Sequence, residues 1–185
     1  MRHSLLVLLV VTSWAITAPA GASAQVAIKV GGGAMFPTLP VRANPDYVSV
    51  GWGALAGVEV PLGSLLSVHA SGFYESNGHK QSREGDKTTL KGALAGVGFT
   101  VGDREAASPY LNLLAGYVSQ SYDSPIRDLQ ASESGLAAGA AAGFQFPVRG
   151  IRGFLEANWL AGFGDIDSTR LFGLAAGVQV PLGGG

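Results

Sequence analysis

Residues 48–60 read Val-Ser-Val-Gly-Trp-Gly-Ala-Leu-Ala-Gly-Val-Glu-Val, and this stretch decides the fold. The even positions Val48, Val50, Trp52, Ala54, Ala56, Val58 and Val60 are apolar, and between them stand Ser49, Gly51, Gly53, Leu55, Gly57 and Glu59. A period of two belongs to an extended strand, whose successive side chains point to opposite faces. One face of this strand is oily; the other is small and carries a carboxylate. The two rows return in 152–163, where Leu155, Ala157, Trp159, Ala161 and Phe163 alternate with Phe154, Glu156, Asn158, Leu160 and Gly162. They return again in 170–180, with Phe172, Leu174, Ala176, Val178 and Val180 set against Leu171, Gly173, Ala175, Gly177 and Gln179. Segments near 26–36, 65–76, 89–101, 109–122 and 135–146 follow the pattern less cleanly. Eight strands are predicted, each of about 10–14 residues, where globular strands usually have five or six.

The connections alternate in length. Short ones are expected at 61–64, 102–107 and 147–150, and longer polar ones at 37–47, 77–88 and 123–133, with a brief one at 164–168. Short turns at one end and longer loops at the other are the pattern of an up-and-down membrane barrel. A weak repeat marks the second strand of each hairpin. Residues 53–63 (GALAGVEVPLG) recur as 92–102 (GALAGVGFTVG) and 174–183 (LAAGVQVPLG). The glycine pairs Gly53/Gly57, Gly92/Gly96, Gly139/Gly143 and Gly173/Gly177 are spaced by four. On a strand this spacing keeps both members on one face, opposite the oily row. Glycines on the inner wall of a narrow barrel leave volume for large side chains from neighbouring strands.

Composition narrows the function classes. The chain has 185 residues, 14% of them charged, with 28 glycines and no cysteine. Soluble domains average about 25% charged residues, so a solvent other than water is indicated. The absence of cysteine excludes disulfide scaffolds, Cys-based zinc sites and thiol catalysis. A formal charge of -1 supplies no footprint for nucleic acid. Residues 1–24 read as a secretory signal: Arg2 and His3 open it, an apolar run covers Leu5 to Ile16, and Ala22-Ser23-Ala24 forms the cleavage pattern. The expected mature unit, 25–185, is a single barrel domain.

Charge placement supports a lipid-facing exterior. Lys29, Glu59, Glu75 and Glu156 take the parity opposite the oily row, whereas Lys91 takes the oily parity near the loop end, as does Arg170. A lipid-facing Lys or Arg at the midplane costs about 2–4 kcal/mol, but near the interface its long stem can snorkel outward. Lys91 and Arg170 are therefore expected rim cations and possible contacts for lipopolysaccharide phosphates. Phe36, Trp52, Tyr74, Phe163 and Phe172 fall towards the longer loops, and Phe99, Phe144 and Phe146 towards the short turns, as two interfacial girdles would. Inside, Lys29, Glu59, His69, Glu75, Asn112, Gln145, Glu156 and Asn158 are expected to pair across strands in a side-chain-filled lumen.

In this architecture, and in its terminal strand Phe172 to Leu182, the chain resembles the small eight-stranded outer-membrane barrels of the OmpA-like and OmpX-like kind. The resemblance implies an all-β, antiparallel, up-and-down transmembrane barrel in the cell outer membrane. It also implies a monomer, contact with outer-membrane lipid and with the insertion machinery, and a structural or surface-interaction role without enzymatic activity. One departure stands out: members often end on an aromatic residue read by that machinery, and this chain ends Pro181-Leu182-Gly183-Gly184-Gly185.

Two other functions stay open at this level. A soluble lipocalin-like barrel binding an apolar ligand would need the inverse arrangement, with the oily row inside. A lipid A deacylase is suggested by His69-Ala70-Ser71 with Glu75 on the same parity, a conceivable triad. Against it, these residues take the lumen parity, and a lipid-cleaving site must meet the bilayer. His79 lies in the hydrophilic run 78–87 and reads as solvated. No cofactor is expected, and the two separated histidines show no metal-ligand spacing.

Overall fold

The alternating segments fold as eight strands that close on themselves. The computed structural model describes residues 26–37, 49–80, 84–103, 106–125, 129–167 and 169–182. Its strands are β1 (Ala27–Pro37), β2 (Gly51–Pro61), β3 (Leu66–Gly78), β4 (Lys87–Thr100), β5 (Ser108–Ser124), β6 (Leu129–Val148), β7 (Ile151–Gly162) and β8 (Arg170–Pro181). Each pairs antiparallel with its chain neighbour, and β1 pairs with β8 from Ala27↔Pro181 to Pro37↔Leu171. Closure leaves no free sheet edge around the wall, the only β architecture that can span hydrocarbon. Residues 1–24 and the connection 38–48 lie outside the described residues.

The two rows take the faces that the alternation implies. Val58, Trp159 and Val178 are 42%, 46% and 40% exposed on the outside, whereas Glu59 and Glu156 are 5% and 7% exposed inside. A water-soluble barrel with an apolar interior is thereby excluded as a description of this fold. The apolar outer band runs from Pro109 to Tyr117 on β5, from Leu136 to Phe146 on β6 and from Phe172 to Val180 on β8. A tilted membrane strand needs about 9–11 residues, which each of these stretches supplies. Ring contacts mark its loop-side border: Phe36 with Phe172 at 6.2 Å and Trp52 with Tyr74 at 5.6 Å between centroids.

One boundary differs from the sequence expectation. A loop at 123–133 and a strand from about 135 are predicted; instead β5 and β6 are 17 and 20 residues long and pair up to Ser124↔Leu129. Above Tyr117 and Leu136 the outward residues turn polar, as Ser119, Ser121, Asp123, Ser132 and Ser134. Without an oily row the period of two vanishes, while hydrogen-bonded pairing continues into water. The same wall includes Gly78↔Lys87 and Lys87↔Asp123, so β3 to β6 rise together past the oily band.

The inner glycines make room for specific large side chains. A Cβ at Gly31 would stand 2.6 Å from Phe154 Cζ, and one at Gly53 2.7 Å from Met35 Cε. At Gly143 it would stand 2.6 Å from the Tyr110 ring. Gly31→Val is therefore expected to destabilise the barrel by about 1–3 kcal/mol through overpacking against Phe154. Urea unfolding of the refolded protein in detergent micelles checks this, and a change below about 0.5 kcal/mol would contradict it.

Candidate functional site

The lumen is filled in layers, and the layer nearest the short turns is a polar network. Lys29 on β1 forms an ion pair with Glu156 on β7, and Tyr110 on β5 donates to the same carboxylate at 2.9 Å. The Lys29 ammonium also lies 4.3 Å from the centroid of the Phe154 ring. Gln179 donates to Glu59, and Gln145 donates to Ser108 at 3.0 Å. His69 Nε2 and Ser67 Oγ share a hydrogen bond of 2.8 Å. The Lys29–Glu156, Tyr110–Glu156 and Gln179–Glu59 contacts join strands that are not neighbours in the wall, so these three span part of the lumen.

Above this layer lies a chamber of about 90 Å³, lined among others by Ser71, Phe73, Glu75, Leu94, Asn112 and Asn158. Nearer the loops the filling turns apolar, with Leu90, Val118, Ala137, Leu160 and Leu171 packed around Ile166. Ile166 belongs to a 3-10 helix, Gly164–Ile166, in the β7–β8 connection, and it is 1% exposed. Gly135 and Gly162 accommodate it: a Cβ at these positions would lie 2.9 and 2.8 Å from Ile166 Cγ1. Gly164 turns the chain into the helix at φ +72°, a conformation that suits glycine. Thr169 donates to Gln120, and the Gly162 amide donates to the Thr169 carbonyl at 2.9 Å. The connection is thus a cork. Ile166→Ala is expected to release it, so that the Gly162 and Thr169 amides exchange hydrogen at least tenfold faster while mid-strand amides of β1 and β8 keep their rates. Unchanged exchange at both amides would contradict the cork.

A second polar cluster stands on the inner side of the raised wall. Asp86, which is buried, accepts from Tyr122 and, at 2.5 Å, from Ser124. His79 shares a 2.8 Å hydrogen bond with Thr88 and meets the Tyr122 ring edge-on at 5.5 Å. The sequence suggests a solvated loop for His79; the extension of β3 and β4 past the oily band draws it into packed structure instead.

The residues singled out from sequence are placed as follows. Lys29, Glu59, His69, Gln145 and Glu156 enter the turn-side network; Glu75, Asn112 and Asn158 line the chamber, together with Lys29, His69 and Glu156 of that network. Lys91 and Arg170 are exposed, and Lys91 pairs with Tyr74 and Ser119 at the border of the oily band. They stand on β4 and β8, four strands apart on opposite sides of the barrel, and so form two separate positions. Tyr110, Gln179, Ser67 and Ser108 were not among the residues expected in the network. Their parity is the available signal, since each stands on the row of an inward glycine, amide or acid. His69, Ser71 and Glu75 all face the lumen, and the His69 ring is engaged by Ser67, so the conceivable triad has no access to bilayer lipid.

A closed eight-stranded barrel, apolar outside and polar within, can be compared with known structures. Neisserial surface protein A superimposes with a TM-score of 0.66 at 13% identity, over 85% of this chain and 97% of that one. This is the fold of the small outer-membrane β-barrels. Ail, the attachment invasion locus protein of Yersinia pestis, matches with a TM-score of 0.54 at 18% identity, over 85% and 99% of the two chains. The N-terminal β-barrel domain of Pseudomonas aeruginosa OprF matches with a TM-score of 0.51 at 14% identity, over 85% and 99%. No protein-family model and no curated protein matches the sequence.

Proposed function

We propose that residues 25–185 form an integral, non-enzymatic outer-membrane protein, exported by a signal at 1–24, that serves the envelope as a structural or surface-interaction barrel. The observation that carries this reading is the inverted distribution of polarity. Exposed Val, Leu, Phe and Trp side chains ring the outside, and the charged network is buried within. The chain ends lie in the periplasm in this reading, and the raised β3–β6 wall and the β7–β8 cork face outward. The names of two fold neighbours, a surface protein and an attachment invasion locus protein, agree with a role at the cell surface. The ion-pair layer and the apolar packing around Ile166, both inside the barrel, support a closed barrel over a pore. Insertion by the outer-membrane machinery, a monomeric state and contacts of Lys91 and Arg170 with lipopolysaccharide phosphates belong to the same proposal.

Fractionation with heat-modifiable gel mobility tests it. Recovery in the outer membrane, with a mobility shift on boiling, is the expected result. Recovery in the soluble periplasmic fraction with no shift would overturn the proposal.

A further inference from the structure

The turn end of the barrel carries large apolar side chains where connections are normally polar. The β2–β3 connection contains Leu62-Gly63-Ser64-Leu65, and both leucines are exposed, Leu62 at 61%. Val101, at the start of the β4–β5 connection, is 64% exposed, and Leu182, just after β8, is exposed as well. All four are more exposed than the outward Val58 and Val178 of the oily rows. The backbone holds them in place. The Leu182 amide donates to the Val26 carbonyl at 2.6 Å, Leu62 to Leu66 and Thr100 to Leu65 at 2.8 Å, and Val101 to Pro109 at 3.0 Å. Ordered pairing thus continues past the strand ends, and the apolar residues follow one rim from β8 through β1, β2 and β3 to β4, consecutive strands of the closed wall. Phe99, at the turn-side aromatic border, pairs with Leu66, and Leu65 and Val101 lie beyond that pair. The rim stops at the exposed Asp103. On the opposite side of the wall, the β6–β7 hairpin ends instead on the exposed Arg149.

We propose that this rim is a lipid-anchoring surface: Leu62, Leu65, Val101 and Leu182 are immersed in the acyl chains of the leaflet on the turn side, and the Arg149 hairpin stands outside them. The inference deepens the outer-membrane reading and rests on it; there the leaflet is the periplasmic one. Continuity with the oily band carries the choice of occupant. Val60 and Leu62 on β2, Phe99 and Val101 on β4, and Val180 and Leu182 on β8 keep the outward parity, so each oily row runs off its strand end with no polar residue on that face. Large apolar side chains lose their transfer free energy when left in water, and soluble surfaces carry few such patches. Acyl chains cover the rows that lead into the rim, so the same solvent reaches it without a further partner. An arginine in hydrocarbon is costly, which keeps the β6–β7 hairpin at or beyond the headgroups. The barrel end is therefore seated unevenly: the leaflet reaches over the β2–β3 turn and stops short of the β6–β7 turn.

Single-tryptophan barrels test the rim. In a background carrying Trp52→Phe and Trp159→Phe, the substitutions Leu62→Trp, Val101→Trp and Arg149→Trp are made one at a time. Each barrel is refolded into phospholipid vesicles brominated near the headgroup end of the acyl chains, and folding is verified by heat-modifiable mobility. Emission from positions 62 and 101 is expected to fall to less than about half of its value in unbrominated vesicles, while emission from position 149 keeps most of its value. Should Leu62→Trp fail to fold, Val101→Trp decides. Unquenched emission at 62 and 101 overturns the proposal, whether those positions are open to aqueous iodide or shielded from it by a second copy of the chain. Quenching at 149 equal to that at 62 overturns the uneven seat. The unsubstituted barrel keeps the two levels apart. Quenching of Trp52 and Trp159 there, without quenching at 62 and 101, sinks the rim and leaves the membrane reading standing; if Trp52 and Trp159 also escape, both fall.

Discussion

Lys29→Met is expected to destabilise the barrel by about 3–5 kcal/mol, because it strands the Glu156 carboxylate in a lumen that has lost its counter-charge. The physical asymmetry is the point. A buried ion pair contributes little beyond a well-packed apolar pair, since desolvation offsets most of the Coulomb attraction. Removing one partner leaves the full cost of the other. Tyr110 still donates to Glu156, but a single phenol cannot replace an ammonium that also rests on the Phe154 ring. The double variant Lys29→Met with Glu156→Leu should therefore recover most of the loss. Equilibrium unfolding in urea, from micelles or thin vesicles, measures both. A loss under about 1 kcal/mol for Lys29→Met, or no recovery in the double variant, would show that the pair is a bystander.

Leu113→Arg should cost about 2–4 kcal/mol, although Leu113 is an exposed residue. On a water-facing surface such a change usually stays within about 0.5 kcal/mol. Leu113 lies at the middle of the oily stretch of β5, between Pro109 and Tyr117, so an arginine there must either enter hydrocarbon or drag headgroups and water inward. Thr89→Arg, on the outer parity of β4 beyond Lys91, is expected to cost no more than about 1 kcal/mol because it meets the interface. The contrast between the two positions is more informative than either value. Equal, small effects at both would mean that the exterior of β5 faces water.

Most of the wall was legible because each membrane-crossing strand has two different faces. In 48–60 the valine row and the glycine-glutamate row remain distinct along the whole segment, and β2 forms where they do. The upper half of β6 was not legible. Gln130, Ser132 and Ser134 look outward into water, Glu133 shares the inward parity, and neither row is oily. Backbone pairing to β5, as in Tyr122↔Ala131, maintains the strand without a sequence signature.

The lumen was legible by residue type and not by partner. Parity alone assigns Lys29, Glu59 and Glu156 to the interior. Which of them meet depends on the stagger of strands around the closed wall, which brings Gln179 to Glu59 across 120 residues. Ile166 shows a further limit. Flanked by Asp165 and Asp167 it reads as part of a polar connection, and only the space left by Gly135 and Gly162, on two other segments, turns it into the cork.

Tryptophan fluorescence offers the most direct examination of the account's core, that the oily rows meet acyl chains. Residues 25–185 contain two tryptophans, Trp52 and Trp159, and both are exposed on the outer face. After refolding into vesicles of lipids brominated on their acyl chains, emission is expected to fall to less than about half of its value in unbrominated vesicles. Emission that is the same in both kinds of vesicle, with the barrel folded, would contradict it.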